Sequence, residues 1–261
     1  KPIGTYEGSV GYGDDWLYQA SGAGMLFKPK FQTIATLKIG NVHSFASDEV
    51  TSLIGGIEEE SKAERLMGNL SASTPPMDKD RYASPTEHMF SVNFIQKMTE
   101  TATLRGNVDY SYSKSQYDYD IQRNFYDGDE NIIIDQGINS LSTSHTPSFS
   151  IVYKNNASTS YLNNSLFGKA TFLRNDLPTT ENGQTLMQQQ SMRDYYVGND
   201  FSYSWRRKKL RWRLSSSVLL FNTPQVRLTV TNEGNDIHQH VNSLSFQTKN
   251  LLSAIYDFKN S

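Results

Sequence analysis

Hydrophobic and polar residues alternate without interruption over residues 101–113, "TATLRGNVDYSYS". One parity carries apolar, small or aromatic side chains such as Leu104 and Val108, and the other carries polar side chains such as Arg105 and Asn107. A period of two residues indicates a β-strand with one dry face and one wet face. The alternation runs through 13 residues, whereas strands in soluble sheets usually have about 5 to 6. The dry face therefore meets either a large protein core or lipid.

The same alternation recurs along the chain and predicts ten strands. Their approximate bounds are residues 3–12, 16–27, 30–40, 87–97, 101–113, 145–154, 158–173, 190–205, 209–221 and 243–258. At one end of the predicted sheet the connections are short, namely KPK, TET, NNAS and RRKK. At the other end a tight GDD turn is followed by four long loops, at residues 41–86, 114–144, 174–189 and 222–242.

This organisation is typical of an outer-membrane β-barrel, which has short turns on one side of the membrane and long loops on the other. Aromatic residues near strand ends agree with it, because Trp and Tyr favour the interface between lipid and water. Tyr203, Trp205 and Trp212 flank the RRKK turn. We predict an all-β fold, an antiparallel up-and-down meander of about ten long strands that forms part of a transmembrane β-barrel. A soluble sandwich or jelly roll is the alternative, since its strands are also amphipathic.

The parity of each strand predicts which side chains meet lipid and which meet a polar lumen. The lumen-facing candidates are Arg105, Asn107, Asp109, Lys169, Asp200, Arg211 and Arg213. The lipid-facing candidates are Leu104, Val108, Tyr110, Leu166, Phe172, Val197, Phe201, Leu214 and Val218. A shift of one residue in register would exchange the two faces of a strand.

Composition narrows the class further. The chain of 261 residues has no cysteine, which excludes disulfides and thiolate metal sites. Its formal net charge of −2 gives no electrostatic case for nucleic acid, which is bound through cationic contacts to phosphate. The longest unbroken apolar run, VLLF at 218–221, is far shorter than the about 20 residues that a transmembrane helix needs. The opening residues KPIGTYEGSV contain no signal-peptide pattern.

Three segments resemble a known family. "SGAGMLFKPKFQTIATLKIGNV" at 21–42 is similar to a strand pair of TonB-dependent-receptor-like outer-membrane barrels, in the version with an N-terminal carboxypeptidase-regulatory-like domain and a plug. Gly40 stands where that family has Asn. "PPMDKDRYASPTEHMFSVNFIQKM" at 75–98 and "VYKNNASTSYLNNSLFG" at 152–168 resemble strands that follow. The similarity covers most of residues 1–221 loosely.

The resemblance implies that the chain is the first part of a larger barrel. Receptor barrels of this type have about 22 strands and a plugged lumen, so the strands at 3–12 and 243–258 would not be neighbours. It further implies nutrient uptake across the outer membrane of a Gram-negative bacterium, with no enzymatic activity and no cofactor. The implied partners are the lipid bilayer, the missing plug and strands, a TonB-type energising protein and a surface lipoprotein.

A second hypothesis of a different class is a surface-exposed or soluble β-domain that binds a glycan or a protein. Tyr-rich stretches such as "SQYDYD" at 115–120 would stack on sugar rings. Purification of a monodisperse protein without detergent would favour this hypothesis over the barrel.

No stretch of the sequence predicts a catalytic, cofactor-binding or metal site. His238 and His240 would share one face of a strand, but no third ligand is in view. "YDGDEN" at 126–131 lacks the spaced Gly and distal Glu of a calcium loop. "EEESKAER" at 58–65 predicts a short solvated helix, and the basic run at 205–213 predicts a periplasmic turn.

Overall fold

Ten antiparallel strands form one sheet in which each strand pairs with its neighbours in sequence. They are β1 (Pro2–Tyr12), β2 (Trp16–Phe27), β3 (Phe31–Gly40), β4 (Ala83–Lys97), β5 (Ala102–Asp127), β6 (Glu130–Asn156), β7 (Ser160–Glu181), β8 (Gln184–Arg207), β9 (Leu210–Asn232) and β10 (Asn235–Tyr256). The structure, a computed structural model, describes residues 2–13, 15–42, 67–68, 70–72, 74–75, 77, 83–127, 130–232 and 235–256. The predicted all-β meander is confirmed.

The sheet has two open edges within the described residues. β1 pairs with β2 alone, and β10 pairs with β9 alone. The first and last strands are therefore not neighbours, which is the arrangement that the resemblance to a larger barrel implies.

Most strands are far longer than the alternation predicts. Ladders continue through three of the four predicted long loops, and their last pairs join Asp127 to Glu130, Glu181 to Gln184, and Asn232 to Asn235. The prediction of loops at 114–144, 174–189 and 222–242 is therefore wrong. Of the loop predicted at 41–86, the residues from Ala83 belong to β4, and the remainder is described only in part.

These extensions are not predicted because the apolar residues change parity where the extensions begin. In β5 Leu104 and Val108 have even numbers, whereas Tyr117, Tyr119 and Ile121 have odd numbers and alternate with polar residues. Hydrophobic periodicity is the main sequence signal of a strand, and a change of parity interrupts that signal. Hydrogen bonding to the neighbouring strands nevertheless continues unbroken from Ala102 in the ladder between β5 and β6.

The turn between β7 and β8 carries a local sequence signal that alternation alone does not show. Asn182 and Gly183 have φ angles of 48° and 82°. An Asn-Gly pair favours the two-residue hairpin turn with positive φ at both positions, because Gly has no Cβ and Asn tolerates this region. The letters "ENGQ" therefore indicate a tight hairpin within the segment where alternation predicts a long loop.

Cross-strand register divides the side chains into two faces. Directly opposed residues share a face, and successive residues alternate. Asn107 lies opposite Asn93, whereas Val108 lies opposite Val92 and Phe149. We call the face that holds Asn107 the polar face and the one that holds Val108 the apolar face.

β9 contains a bulge at Pro224, which adds one residue to this strand relative to its two neighbours. The register shifts by one residue against β8, between Arg193 and Tyr195, and against β10, between Val241 and Ser243. A proline has no backbone N–H to donate, so inside a sheet it is confined largely to edges and bulges. The extra residue restores the alternation above and below it.

Candidate functional site

The register collects the predicted site residues onto two opposite faces. The polar face carries all the lumen-facing candidates, Arg105, Asn107, Asp109, Lys169, Asp200, Arg211 and Arg213. The apolar face carries all the lipid-facing candidates, Leu104, Val108, Tyr110, Leu166, Phe172, Val197, Phe201, Leu214 and Val218. Which solvent each face meets stays a prediction.

Burial is inverted relative to a soluble sheet. Asp109 on the polar face is 2% exposed, whereas its neighbour Val108 on the apolar face is 53% exposed. Met89 and Ser91 on the polar face are also buried, and Phe90 between them is exposed. The side chains of the polar face therefore crowd together, as they do on the inside of a curved sheet, while apolar side chains project outwards.

Hydrogen bonds tie the polar face together across strands. The Asn107 amide donates to Oδ1 of Asn93 at 2.6 Å and to Oδ1 of Asp109 at 3.2 Å. Further along the face, the Ser217 hydroxyl donates to Asp200 at 2.6 Å. Oδ2 of Asp109 and Oδ1 of Asn107 are buried without a hydrogen-bond partner among the described residues. Buried polar atoms normally find a partner in protein or ordered water. This face therefore suits an interior that holds water or another part of the protein.

A short segment between β3 and β4 is fastened onto the polar face near the far ends of the strands. Gln190 donates from Nε2 to the Gly68 carbonyl at 2.9 Å and accepts from the Leu70 N–H at 2.9 Å. Asn175 donates to the Leu70 carbonyl at 2.9 Å. Met67 packs against a small apolar cluster that includes Met192. This part of the predicted first loop therefore lies over the polar face.

A cavity of ≈270 Å³ lies between this segment and strands β5 to β7. The described residues that line it carry no charge; they are Leu70, Ser71, Ala72, Thr74, Ser115, Tyr117, Ser140, Ser142, Leu173 and Asn175. The Ser115 hydroxyl is buried without a partner among the described residues. Hydroxyl and amide groups of this kind can donate and accept hydrogen bonds, and they suit a small neutral polar molecule.

The apolar face has a charge-free band across the sheet. From the row of Trp205 and Trp212 to the row of Tyr195, no described strand places Asp, Glu, Lys or Arg on this face. Some neutral polar side chains in the band bond to each other: Asn199 donates to Asn164 at 2.9 Å, and Ser216 donates to Asn250 at 2.7 Å. Such pairing lowers the cost of placing polar groups in an apolar medium.

Aromatic rings border this band on both sides. Near the short turns, Trp205 and Trp212 stack with ring centroids 5.9 Å apart. Towards the far ends, Phe172 meets Tyr195 edge to face at 5.6 Å. Tyr195 and Trp205 are ten residues apart on β8, which corresponds to about 33 Å along the strand and about 25 Å across a membrane at a tilt of about 40°. This matches the about 25 Å apolar band of outer-membrane barrels.

The remaining sequence candidates form no site among the described residues. His238 and His240 share one face of β10, and no group of three potential metal ligands occurs in the part of the chain that the structure describes. The helix predicted at 58–65 and the side chains of "YDGDEN" lie outside the described residues. No helix in the described ranges has the length and apolar character needed to cross a membrane.

Comparison with known proteins decides the fold. The chain matches no family model and no curated protein. It is similar over 99% of its length to the ferric yersiniabactin uptake receptor FyuA from Yersinia pestis, with a TM-score of 0.54, 10% identity and 40% coverage of that chain. The sheet has the fold of part of a β-barrel. The chain thus spans about two fifths of the length of this receptor.

A second solved structure is also similar to this chain. The ferric-catecholate import receptor Fiu from Escherichia coli K12 is similar over 94% of the chain, with a TM-score of 0.43 and 9% identity, and 41% of that receptor is covered.

Proposed function

We propose that this chain forms part of the wall of an outer-membrane uptake receptor that imports a nutrient into a Gram-negative bacterium. The observation that carries the proposal is the charge-free band on the apolar face, which is bordered by aromatic rings at Tyr195 and Trp205. A band of about 25 Å is the height that the hydrocarbon core requires of a barrel wall. In this proposal the protein binds and conducts its cargo and changes no covalent bond.

The polar face would line the lumen of the receptor. The buried oxygens of Asn107 and Asp109 that lack a partner among the described residues suit contact with water or with a plug that fills the interior. A plug, a TonB-type energising protein and a surface lipoprotein are the partners that such a receptor would use. The cavity beside Ser115 and Asn175, whose described lining carries no charge, lies where incoming cargo would first meet the wall.

Further strands would complete the barrel. In hydrocarbon, each backbone group without a partner costs several kcal/mol, so the free sides of β1 and β10 require neighbours. Barrel diameter grows with strand number, and FyuA is about two and a half times as long as the part that this chain covers. We propose that the missing strands pair with the outer sides of β1 and β10.

Thiol labelling in intact membranes tests this function. The chain contains no cysteine, so Leu166→Cys on the apolar face and Lys169→Cys on the polar face report on one strand, β7. We expect a water-soluble maleimide to label the Lys169 variant and to leave the Leu166 variant unlabelled until the membrane is dissolved. Equal labelling of both variants, or a protein that is monodisperse without detergent, would contradict the proposal and favour a soluble binding domain.

A further inference from the structure

Cationic side chains are concentrated on the apolar face just beyond the aromatic border. One cross-strand row follows directly from the register, since each residue in it lies opposite the next: Lys114, Thr143, Arg174, Ser191, Arg227 and His240. Arg193, two residues from Ser191 on β8, also lies on this face. The charge-free band thus gives way abruptly to positive charge.

Three of these cations form a compact group. Arg174 and Arg227 lie on either side of Ser191 in the same row. Arg193 is a diagonal neighbour of both, and diagonal positions on adjacent strands are about 7–8 Å apart. All three side chains are exposed. Their guanidinium groups can therefore converge on one anion above β8.

Most of this positive charge is uncompensated. Within the described residues, Arg193 and Arg227 form no ion pair, and Arg174 pairs with Asp176 at 2.9 Å. That pair uses Nε and one terminal nitrogen of Arg174, and a guanidinium has five N–H donors. Asp118 and Asp236, the next acids on this face, lie in a row further from the band.

The height of the group along the strands matches the level of lipid headgroups. Arg174 lies two residues beyond Phe172 on β7, and Arg193 lies two residues beyond Tyr195 on β8. Two residues correspond to about 7 Å along a strand. Aromatic rings mark the boundary between hydrocarbon and headgroups, so the guanidinium groups stand immediately outside that boundary.

We propose that Arg174, Arg193 and Arg227 bind the phosphate of a membrane lipid headgroup from the leaflet around the receptor. Arg binds phosphate with two parallel N–H···O bonds, which makes it the preferred residue for this contact. The adjoining apolar band would hold the acyl chains of the same lipid. This inference rests on the proposed membrane location of the apolar face, because only there does a lipid lie beside the three cations.

Lipid capture by the intact protein tests the proposal. The full-length protein is reconstituted in phosphatidylcholine vesicles that contain lipid A with both of its phosphates, isolated in mild detergent, and assayed for retained lipid A by mass spectrometry. We expect the triple variant R174Q/R193Q/R227Q to retain roughly tenfold less, since each 1.4 kcal/mol lost is a factor of ten and charge-assisted bonds are lost. The matched control K169Q/R211Q/R213Q removes three cations from the polar face and should retain lipid A like the parent.

Removal of the lipid phosphates distinguishes phosphate binding from retention through the acyl chains alone. Dephosphorylated lipid A should be retained equally poorly by the parent and the triple variant. The proposal is overturned if dephosphorylated lipid is retained as well as the phosphorylated form, if the triple variant matches the control, or if inorganic phosphate at equal phosphate concentration displaces the lipid fully.

The single variants Arg193→Gln and Arg227→Gln, which break no ion pair among the described residues, give the same comparison if the triple variant does not fold. A protein that fails to float with the vesicles refutes the membrane location itself.

Discussion

At the scale of single residues, aromatic rings cover glycines in cross-strand pairs. Phe94 lies over Gly106 and Phe149 over Gly168 on the apolar face, and Phe167 lies over Gly198 on the polar face. Each ring occupies the space that a side chain at the glycine would fill. These pairs let a large side chain lie flat against the sheet, so the wall stays thin at those points.

Gly198 provides a test of this packing. A Cβ added there would lie 2.5 Å from the Phe167 ring and 2.9 Å from Cδ1 of Leu219, so Gly198→Ala should lower the free energy of unfolding by about 1–3 kcal/mol through overpacking. At Gly24 nothing lies within 4 Å of the added atom. Urea titration in lipid vesicles should show Gly24→Ala at or above the parent's stability. Equal effects of the two substitutions would mean that the ring does not constrain Gly198.

Within the predicted strands, the parity of each residue could be predicted from the sequence, whereas contacts between residues could not. The parity of Arg105 and Val108 follows from alternation alone, because a strand has a period of two. The network among Asn93, Asn107 and Asp109 needs the register between β4 and β5, and no pattern within one strand specifies that register. The group of Arg174, Arg193 and Arg227 could not be predicted for the same reason, since it is assembled from three strands.

At the scale of elements, the strands end where their hydrogen bonding ends and not where their hydrophobic pattern ends. The parts of β5 to β9 nearest the short turns were predictable because one face is apolar there. In their outer parts the apolar residues change parity, for example from Val108 to Tyr117 and Ile121 in β5. Backbone hydrogen bonds to the neighbouring strands stabilise these outer parts. Such hydrogen bonds depend little on residue type, so the amino-acid composition does not predict them. Asn182 and Gly183 are the exception, because a tight turn depends on its own two residues.

The bulge at Pro224 makes a prediction at this scale. Deletion of Pro224 should leave a folded protein, because the registers above and below the bulge differ by one residue and the deletion merges them. Deletion of Ser217 should abolish folding, because it exchanges the faces of the residues between that position and the bulge. The heat-dependent shift in electrophoretic mobility of folded barrels measures both. Equal folded yields would show that β9 slides freely along its neighbours.

At the scale of the whole molecule, the two ends of the sheet lie at different distances from the charge-free band. The short connection at Lys208 lies beside Trp205 and Trp212, next to the charge-free band. The hairpin at Asn182 and Gly183 lies at the far end of β7 and β8, well beyond Tyr195. The pairing of strands across the predicted short connections was predictable from the sequence, and the open edges were predictable from the resemblance to a larger barrel. The length of the strands beyond the charge-free band was not predictable from the sequence.

Sidedness follows from this arrangement. We propose the orientation that the sequence predicts, with the turn at Lys208 in the periplasm, so that Lys209→Cys lies in the periplasm and Glu181→Cys lies outside the cell. A membrane-impermeant maleimide should therefore label Glu181→Cys on intact cells and Lys209→Cys only after the outer membrane is permeabilised. Labelling in the reverse order would invert the orientation, and labelling of both sites on intact cells would contradict a barrier between them.

The extended strands have a consequence for how cargo is caught. β6 has 27 residues, which is about 90 Å along the strand and about 70 Å of wall height at a tilt of about 40°, against about 25 Å of bilayer. In the proposed orientation most of this wall stands above the cell surface as continuous ladder. A mouth built of paired strands keeps its shape before cargo arrives, so little conformational entropy is lost on binding. The affinity of the extracellular opening for cargo would then depend on how well the cargo fits a preformed surface rather than on the closure of mobile loops.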